Sequence, residues 1–402
     1  MPLHNWRGKE PLGTCSMTEP IANERFPYFT EEHEMLRRTI RRFLADKVLP
    51  VADAWEEQGF VPREILREMG SLGLLGMRYA PEYGGSGLDT LANAVLGEEL
   101  GRSTYGGFAV TVLVHTDMAS PHLFHGGSAD QLKRWMPDIT AGRKITAVAM
   151  TEPDAGSDLA SMRTTARKVA GGYMLNGSKM FITNGVHGDL IFTAAKAGDA
   201  GRNHTLSMFA IEKGMPGFKV ARALKKTGWL SSDTAELVFE DCFVPEENLL
   251  GEEGRGFYAL VKNLQNERIV LSAQALGEAM KAIELTLDWV KQRRAFGATL
   301  WDKQVIRQRL SMRLTQVEAA RAFLFNTAWR DTQQENVTKE VAMLKALAGT
   351  LVNEVLYDCV QFHGGMGYMR ESAIERMARD ARVQSIGGGA TEVMLDEVAK
   401  RI

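Results

Sequence analysis

Three patterns of apolar and polar residues follow one another along the 402-residue chain. From Thr30 to about Gly142, apolar residues recur at helical spacing, with proline and glycine clusters at the predicted helix ends. From about Lys144 to Leu250, short β-rich runs alternate with Gly, Asn and Asp turns, as in small antiparallel sandwiches or barrels. From Gly256 onward, long amphipathic stretches return. The chain is therefore predicted to be α+β and mostly helical, with a β unit between two helical regions.

The same pattern predicts the boundaries of domains and elements. Thr30 precedes two glutamates and is an expected helix N-cap. We expect an N-terminal extension over residues 1–29, a helical domain over 30–143, a β domain over 144–250 and a second helical domain over 251–402. Strands are expected at residues 145–150, 190–195, 206–211, 218–221 and 235–239, and long helices at 257–293, 303–332 and 338–362.

Composition narrows the class of protein. Hydrophobic residues make up 45% and charged residues 24% of the chain, as in soluble globular proteins, and the net charge is −2. Because there is no long Lys/Arg run, neither nucleic acid nor an anionic membrane surface is expected as the main partner. No apolar stretch approaches the about 18 residues that span a bilayer, so no membrane insertion is expected.

Cysteine usage and the N-terminus bear on the compartment. Cys15, Cys242 and Cys359 are far apart and suggest no disulfide framework, which favours a reducing interior. The first twenty residues of the chain fit neither a secretory signal nor a good mitochondrial presequence. We expect the cytoplasm of a bacterium, or the mitochondrial matrix if the source is eukaryotic. Met17 is an alternative start, which would make residues 1–16 an extension.

Two polar segments carry the strongest indication of function. Residues 151–158 (TEPDAGSD) follow the predicted strand 145–150 and form a turn whose backbone N–H groups can face an anion or a ring. Residues 175–185 (LNGSKMFITNG) follow shortly after. Each segment alone is an ordinary polar turn, but the two together, in this order and spacing, resemble the flavin-binding middle domain of the acyl-CoA dehydrogenases. No GxGxxG or Walker A loop offers another dinucleotide site.

The resemblance covers about residues 30–400 and implies the fold and cofactor of that family. The fold is an N-terminal helical domain, a middle β domain and a C-terminal four-helix bundle, and the cofactor is FAD. By resemblance, Thr151 would hydrogen-bond the flavin ring. Phe181 and Ile182 would cover its other edge, although both are also compatible with plain strand core. The middle-domain residues implied for FAD are Val148, Met150, Thr151, Ser157, Phe181, Ile182 and Thr183.

Three C-terminal segments match the family as well, and one of them is residues 303–304 (KQ), which follow at the family's spacing. Residues 293–297 (RRAFG) close a predicted helix, and the Arg293 guanidinium offers a fork suited to a pyrophosphate. Residues 361–368 (QFHGGMGY) resemble a helix end that approaches the adenosine half, although each segment alone is also an ordinary helix end. In the family these elements reach FAD from a neighbouring subunit, so the resemblance implies a homotetramer, a dimer of dimers. The residues implied are Arg293, Phe296, Gln304, Gln361, Gly364, Gly365, Ala390, Thr391 and Glu392.

The base that many family members carry near the C-terminus is missing. They have a glutamate just before a Gly-Thr pair, and alignment on residues 379–381 (RDA) puts Gly388 in its place. Glu267 is the alternative base, because its spacing predicts a place on an apolar helical stripe. The combination of Glu267 with Gly388 resembles the long-chain and isovaleryl-type branch of the family. The alternative is that Glu267 is an ordinary surface glutamate paired with Arg268 or another arginine. The stripe comprises Leu260, Leu264, Glu267 and Leu271.

The chemistry of the family explains why an acid belongs among apolar residues. A carboxylate removes the α-proton of the acyl thioester as the β-hydride leaves for the flavin, and burial raises the pKa of a carboxyl toward neutrality. The thioester carbonyl needs hydrogen-bond donors, which by resemblance are the Gly388 N–H and a flavin ribityl hydroxyl. Arg268 would orient the site, and Ser157 and Gly389 would contact the thioester end of the substrate.

The expected partners follow from the same resemblance. They are an acyl-CoA and an electron-transfer flavoprotein. The acyl chain is expected against the helix around residues 108–117, where Gly106, Gly107 and Ala109 could leave room for a long or methyl-branched chain. The alternative is that these small residues permit close helix packing.

Metal binding is not expected. No HxxxH or HExxH spacing surrounds His363, and His122 and His125 have no evident third ligand, so we interpret these histidines as structural.

The sequence is also compatible with two other functions. A flavin monooxygenase or oxidase on the same fold would use O₂, and the monooxygenases do not need the α-proton base. A non-catalytic paralogue that binds FAD or acyl-CoA is suggested by the missing C-terminal glutamate.

Overall fold

The computed structural model describes residues 26–197 and 206–402, without the side chains of residues 257–262. The extension up to residue 25, with Cys15 and Met17, lies outside these ranges. The N-terminal part is helical, and Thr30 is the N-cap of the first helix, as predicted. Two π-helical turns, Leu44–Val48 and Val114–Ala119, continue helices of this part. The helices are α1 (Glu31–Phe43), α2 (Ala52–Gln58), α3 (Arg63–Ser71), α4 (Thr90–Arg102), α5 (Gly106–Leu113), α6 (Ser120–Gly126) and α7 (Ala129–Thr140).

The middle part forms one mixed eight-stranded sheet. Its strands are β1 (Thr146–Ala149), β2 (Thr165–Val169), β3 (Gly172–Thr183), β4 (Leu190–Ala197), β5 (Leu206–Glu212), β6 (Phe218–Ala223), β7 (Thr234–Pro245) and β8 (Leu249–Leu250). Their order is β6-β7-β3-β2-β4-β5-β8, and β1 pairs with β4. The β1–β4 and β2–β4 pairs are parallel, which corrects the expectation of an antiparallel unit. Side chains alternate in the same way in both kinds of pair, so the sequence pattern does not distinguish them.

Strand β4 is buried on both faces. Leu190, Phe192 and Ala194 belong to the core shared with the helices, whereas Ile191 and Ala195 belong to a second core within the β unit. The alternation follows the period of two along a strand. The sheet is therefore attached to the helical part through one of its faces, and β1, beside β4, lies at that junction.

The C-terminal part is helical, and its long helices lie where the sequence pattern predicts them. The C-terminal part was expected to be a four-helix bundle. It contains three long helices and two short ones, and the two short helices pack against α10. The helices are α8 (Gly256–Gln292), α9 (Gln304–Thr332), α10 (Thr338–His363), α11 (Ala373–Ala381) and α12 (Thr391–Ala399), and a small hairpin of β9 (Arg294–Ala295) and β10 (Ala298–Thr299) joins the first two. Within residues 26–197 and 206–402, no helix is long and apolar enough to cross a membrane.

Glycines bring α4 and α8 into backbone contact. A Cβ atom on Gly101 would lie 2.1 Å from the carbonyl oxygen of Gln274, and one on Gly277 would lie 2.1 Å from that of Glu98. Any larger residue would push the helices apart. The crossing therefore fixes α8 against the N-terminal helices.

The glycines at the start of α5 serve packing as well. A Cβ on Gly106 would lie 2.6 Å from Trp229 Nε1, and one on Gly107 would lie 2.5 Å from Ser231 Oγ. Residues of the middle part fill the space beside them. The expectation that these glycines leave room for an acyl chain was therefore wrong, because their small size permits contact between domains instead.

Candidate active site

A buried ion pair holds the turn that follows β1. Lys179 on β3 is fully buried, and its Nζ donates to the Met150 carbonyl at 3.1 Å and to Glu152 Oε1 at 2.8 Å. Glu152 also accepts from the Thr164 N–H at 3.0 Å. Burial lowers the pKa of Lys179 to about 8, and Glu152 acts against that shift. The first predicted flavin segment is thus fixed against the strand that carries the second.

Phe181 is exposed and strained where the two segments meet. The Met180 N–H donates to the Thr151 carbonyl at 2.8 Å. The next residue, Phe181, has φ +62° and is 66% exposed. The left-handed region costs a bulky residue roughly 1–2 kcal/mol, and such strain concentrates at ligand sites. Ile182 is buried in the β core and Thr183 is half-buried, so the exposed ring of Phe181 is the surface available to a planar group.

Glu267 is a buried carboxyl on α8. It is 8% exposed, and Asn263 Nδ2 donates to its Oε1 at 3.0 Å. Burial raises the pKa of Glu267 to about 8; Asn263 and the charge of Arg268 oppose this, whereas Asp117 adds to it. A carboxylate with a pKa in this range is a stronger base than an exposed one.

The predicted apolar stripe around Glu267 is present as far as the described side chains extend. Leu271 is buried and Leu264 is half-buried, while the side chain of Leu260 lies outside the described residues. The interpretation of Glu267 as a surface glutamate was therefore wrong.

The π-helical turn Val114–Ala119 lies against α8 at Glu267. A π turn interrupts the regular helical hydrogen bonds and leaves carbonyls for other donors. The Asp117 carbonyl accepts from Asn263 Nδ2 at 2.9 Å and from Asn266 Nδ2 at 3.1 Å. Two asparagines of α8 therefore attach the helix to this turn, and both lie within the helical turn that precedes Glu267.

His122 on α6 lies beside the carboxyl. Its Nε2 is 3.9 Å from Glu267 Oε1, which is beyond hydrogen-bond distance. The ring is fully buried, and neither nitrogen has a hydrogen-bond partner within the described part of the chain. Burial, and then His125, lower the pKa of His122 to about 4, so the ring is neutral near pH 7.

The glycine loop before α12 approaches the same part of α8. Gly388 has φ +65° and Gly389 has φ +110°. A Cβ on Gly388 would lie 2.2 Å from Leu271 Cδ1, and Leu271 is one turn beyond Glu267. A larger residue at position 388 would therefore need Leu271 to move and would be strained by the positive φ, and the loop backbone lies beside the turn of α8 that follows Glu267.

Two cations border this loop. Lys345 Nζ donates to the carbonyls of Gln384 at 2.6 Å and Gly389 at 3.2 Å. Burial, and then the charge of Arg268, lower the pKa of Lys345 to about 8. Arg268 Nε is buried and has no partner among the described residues, and it lies 3.5 Å from where a Cβ of Gly389 would be. Arg268 therefore offers an N–H donor at the loop.

The other predicted cofactor residues lie at the opposite end of α8. At 1.5 Å per residue, Arg293 is about 39 Å from Glu267 along the helix. Trp289 joins α8 to the end of α10, because its Nε1 donates to the Phe362 carbonyl at 3.1 Å and its ring stacks on His363. Phe296, Gln361, Gly364 and Gly365 are exposed at this end, and Gln304 begins α9 close by.

The structure thus brings the predicted site residues together in two groups. The first group comprises β1, the end of β3, the middle of α8 and the glycine loop. Within it, β1 and α8 both hydrogen-bond to the turn Val114–Ala119, and the loop contacts α8. The second group lies at the end of α8. Ser157 is exposed in the turn after β1, and Val148 is half-buried. The start of α12 continues the glycine loop with Ala390, Thr391 and Glu392.

Sequence reasoning missed several residues around Glu267. Asn263 precedes it by one helical turn, so helical spacing could have identified this residue. Asp117, His122 and Lys345 carry no such local signal, because they reach the site from other elements. Within the described ranges, no group of three or more His, Cys, Asp or Glu could hold a metal ion, and Cys242 and Cys359 are free and buried.

The residues of the two groups fit the two ends of FAD. Phe181 offers an exposed aromatic ring next to Met180, whose N–H donates to the Thr151 carbonyl, and such a ring can pack against a flavin. Arg293 offers a cation, and a Cβ added to Gly364 or Gly365 would meet nothing within 4 Å, so the backbone there is open to a ligand. The distance along α8 separates the two groups within one chain.

Models of known protein families match nearly all of the described chain. The N-terminal domain of acyl-CoA dehydrogenases matches residues 30–143, the middle domain residues 147–242, and the C-terminal domain residues 254–402.

Individual proteins are similar over most of the chain. This chain is 40% identical over 376 residues to the mitochondrial long-chain specific acyl-CoA dehydrogenase of Sus scrofa. The aligned residues cover 93% of this chain and 87% of that protein. It is 38% identical over 367 residues to an acyl-CoA dehydrogenase of Bacillus subtilis, covering 91% and 96%. The crystal structure of acyl-CoA dehydrogenase from Geobacillus kaustophilus matches with a TM-score of 0.90 and 38% identity, covering 93% of this chain and 99% of that one.

Proposed function

The chain belongs to the acyl-CoA dehydrogenase family, and we propose that Glu267 is the base with which it dehydrogenates its substrate. The reaction converts an acyl-CoA thioester into the trans-2-enoyl-CoA, with FAD as the cofactor. One observation carries the assignment of the base. Glu267 is a buried carboxyl with its pKa raised to about 8, beside a loop in which Gly388 has no side chain.

Glu267 would act in its ionised form. Its Oε1 takes the α-proton of the acyl chain, and the electrons of the broken C–H bond form the new double bond. Bound FAD supplies the acceptor for the hydride that leaves Cβ. Asn263 and the adjoining Asp117 carbonyl orient the carboxyl, and the apolar surroundings make its proton affinity suitable for a weak carbon acid.

The glycine loop would bind the thioester carbonyl. The Gly388 N–H is the proposed donor to the oxygen on which negative charge develops, and such a donor needs no side chain. Lys345 fixes the loop through two carbonyls. Arg268 orients the site from α8, and Ser157 and Gly389 contact the thioester end of the substrate.

A homotetramer in which FAD is shared between subunits would bring the two groups of residues together. Within one chain, the flavin-side group at Thr151 and Phe181 and the group at Arg293 belong to opposite ends of the long helix α8. Phe296 is 96% exposed and Tyr368 is 81% exposed at the second end, as expected of side chains that a partner subunit covers. In the proposed assembly, Arg293, Phe296, Gln304, Gln361, Gly364 and Gly365 contact the FAD of a neighbouring chain.

The proposed substrates are long-chain or methyl-branched acyl-CoAs. The similarity to the long-chain specific enzyme of Sus scrofa and the position of the base on α8 support this class. We propose an electron-transfer flavoprotein as the electron acceptor and a bacterial cytoplasm, or a mitochondrial matrix, as the compartment.

The buried base separates this proposal from its alternatives. A monooxygenase would not need a carboxyl with a raised pKa at the α-carbon, and a binding paralogue would not need to preserve it. Anaerobic bleaching of the flavin by an acyl-CoA would support the dehydrogenase. A requirement for O₂, or no response to any acyl-CoA, would support the monooxygenase or the binding paralogue, respectively.

The test of the base uses two glutamates of the same helix. Glu267→Gln should retain FAD and lose at least about 10²-fold in anaerobic bleaching by palmitoyl-CoA, isovaleryl-CoA or butyryl-CoA. Glu278→Gln is the matched control, because Glu278 is also buried on α8 and burial also raises its pKa to about 8. Near-normal bleaching by the Glu267 variant, or an equal loss in both variants, would refute the assignment.

A further inference from the structure

His122 differs from the other buried histidines in lacking partners. His115 is fixed from both sides, by the Ile139 carbonyl at 3.0 Å and by the Thr146 N–H at 3.1 Å. His363 Nδ1 lies 2.8 Å from the Cys359 carbonyl. Both nitrogens of His122 have no partner within the described ranges, although the ring is fully buried. Buried polar groups are nearly always satisfied, so an orphaned ring needs an explanation.

The Glu267 carboxyl lies close to His122. Their 3.9 Å separation becomes a hydrogen bond after a small rotation of either side chain. A protonated carboxyl can donate to a neutral imidazole, and an ionised carboxylate can accept from one. The ring can therefore pair with Glu267 in both protonation states.

The other groups that face Glu267 cannot take a proton from it as readily. Asn263 is a donor, and Arg268 is a cation. The Asp117 carboxylate is already engaged by Asn93 at 2.9 Å and by Thr116 at 2.5 Å. His122 is a neutral base, and neither of its nitrogens has a hydrogen-bond partner among the described residues.

The proposed reaction creates a need for such a group. Each turnover leaves the α-proton on Glu267, in a site that the bound thioester separates from solvent. The next turnover requires the ionised carboxylate, so the proton must leave. A route through the protein would let it leave while product is still bound.

We propose that His122 is the proton acceptor behind Glu267 and that helix α6 is the exit for the abstracted α-proton. The O–H bond of Glu267 breaks as an N–H bond forms at His122 Nε2, and the proton on Nδ1 leaves toward the exposed end of α6. The electron pair of the C–H bond stays in the product, so only a proton travels along this route. The inference rests on Glu267 being the base.

One feature of α6 gives the proposed route its direction. His125 lies one turn beyond His122, is exposed to solvent, and contributes to lowering the pKa of His122. Burial raises the pKa of Glu267 and lowers the pKa of His122, so at rest the proton favours the carboxyl. The imidazolium therefore does not accumulate, and the ring passes the proton on without trapping it.

The test compares two rates in the FAD-loaded protein. The first is anaerobic bleaching by palmitoyl-CoA, and the second is the uptake of solvent deuterium at Cα of palmitoyl-CoA, measured by mass spectrometry. Uptake requires the proton on Glu267 to exchange with solvent before it returns to Cα. In His122→Leu and His122→Gln, the ratio of exchange to bleaching should fall at least about tenfold. Added imidazole should restore the ratio in His122→Ala, which leaves space for it.

Control variants separate this inference from the proposed function. His33→Gln removes a histidine next to a carboxylate, Asp89 at 3.3 Å, far along the chain from the site, and should leave the ratio unchanged. If Glu267→Gln abolishes both rates while the His122 variants keep the wild-type ratio, the exit route is refuted and the base stands. If Glu267→Gln abolishes neither, both proposals fail.

The wild-type protein supplies a measurement that does not depend on variants folding. The ring accepts one proton and releases another, so two protons move in the exchange step. A plot of the exchange rate against the D₂O fraction should therefore be curved. A strictly linear dependence would overturn the relay. Equal losses of exchange and bleaching in flavin-loaded His122 variants would also overturn it, because they would indicate a structural role only.

Discussion

The proposed base can be moved from helix α8 to the glycine loop. Glu267→Thr removes the carboxyl from α8, and Gly388→Glu adds one on the glycine loop. A side chain at Gly388 would start 2.2 Å from Leu271 Cδ1, one turn beyond Glu267, so both carboxyls should reach the same α-carbon. Glu267→Thr alone should lose at least about 10²-fold in rate, or about 2.7 kcal/mol of transition-state stabilisation.

Two costs limit the rescue. Gly388 has φ +65°, and a glutamate in this region is strained by roughly 1–2 kcal/mol. The contact with Leu271 is shorter than any tolerated Cβ contact, so Leu271 must also move. Leu271→Ala removes this contact. The cavity that it leaves would lower the free energy of unfolding by about 2–5 kcal/mol, and by less where the new glutamate side chain fills the cavity. The double variant should therefore recover little activity and the triple variant, with Leu271→Ala, distinctly more.

The assay is anaerobic bleaching after flavin content and oligomeric mass have been measured. The triple variant should differ from the wild type in its preference among acyl-chain lengths, because Gly388→Glu adds side-chain volume beside the site and Leu271→Ala removes it. A triple variant that folds and binds FAD, yet equals Glu267→Thr with butyryl-, isovaleryl- and palmitoyl-CoA, would show that the two positions do not serve the same carbon. Leu271→Ala alone controls for effects of the cavity.

Three further predictions use other features of the structure. Because the pKa of Glu267 is raised to about 8 and the base acts when ionised, kcat/KM should rise with pH through about 8. Asn263→Ala should move this rise in the pH profile to higher pH, because the hydrogen bond from Asn263 lowers the pKa of Glu267. An unchanged pH profile would contradict the role of the hydrogen bond. Arg293→Ala should lower both flavin content and the mass measured by light scattering; full flavin content in an intact tetramer would count against a contact between subunits. Burial raises the folded-state pKa of Glu278 to about 8, so stability is lost as pH rises from about 4 to about 8. Glu278→Gln should therefore raise the melting temperature at pH 9 more than at pH 5, by an amount equivalent to roughly 1–3 kcal/mol, and equal shifts at both pH values would refute this origin.

Local patterns determined the order of the structural elements. The change from helical to strand spacing and back predicted the helical, β and helical parts, and the three long C-terminal helices lie at the predicted positions. The stripe around Glu267 was predictable for the same reason, since spacing along one helix determines which residues share a face. Thr30 as the first N-cap follows from its own chemistry and that of the next turn.

Spacing does not specify what a face meets. The parallel pairing of β1 and β2 with β4 depends on how the chain returns, and alternation is the same in either direction. Gly106 and Gly107 were expected to leave room for a substrate, yet residues of the middle part fill that space. Small residues permit close approach, and only the fold shows what approaches.

The surroundings of the proposed base show the same division. The sequence identified Glu267 and the absence of a side chain at Gly388 without knowing that Leu271 occupies the space between them. Asp117 reaches α8 from a turn about 150 residues earlier in the chain, and His122 comes from the helix that follows that turn. Such contacts depend on packing between distant elements. The pKa of a buried carboxyl is determined by the groups around it in space and not by its neighbours in sequence.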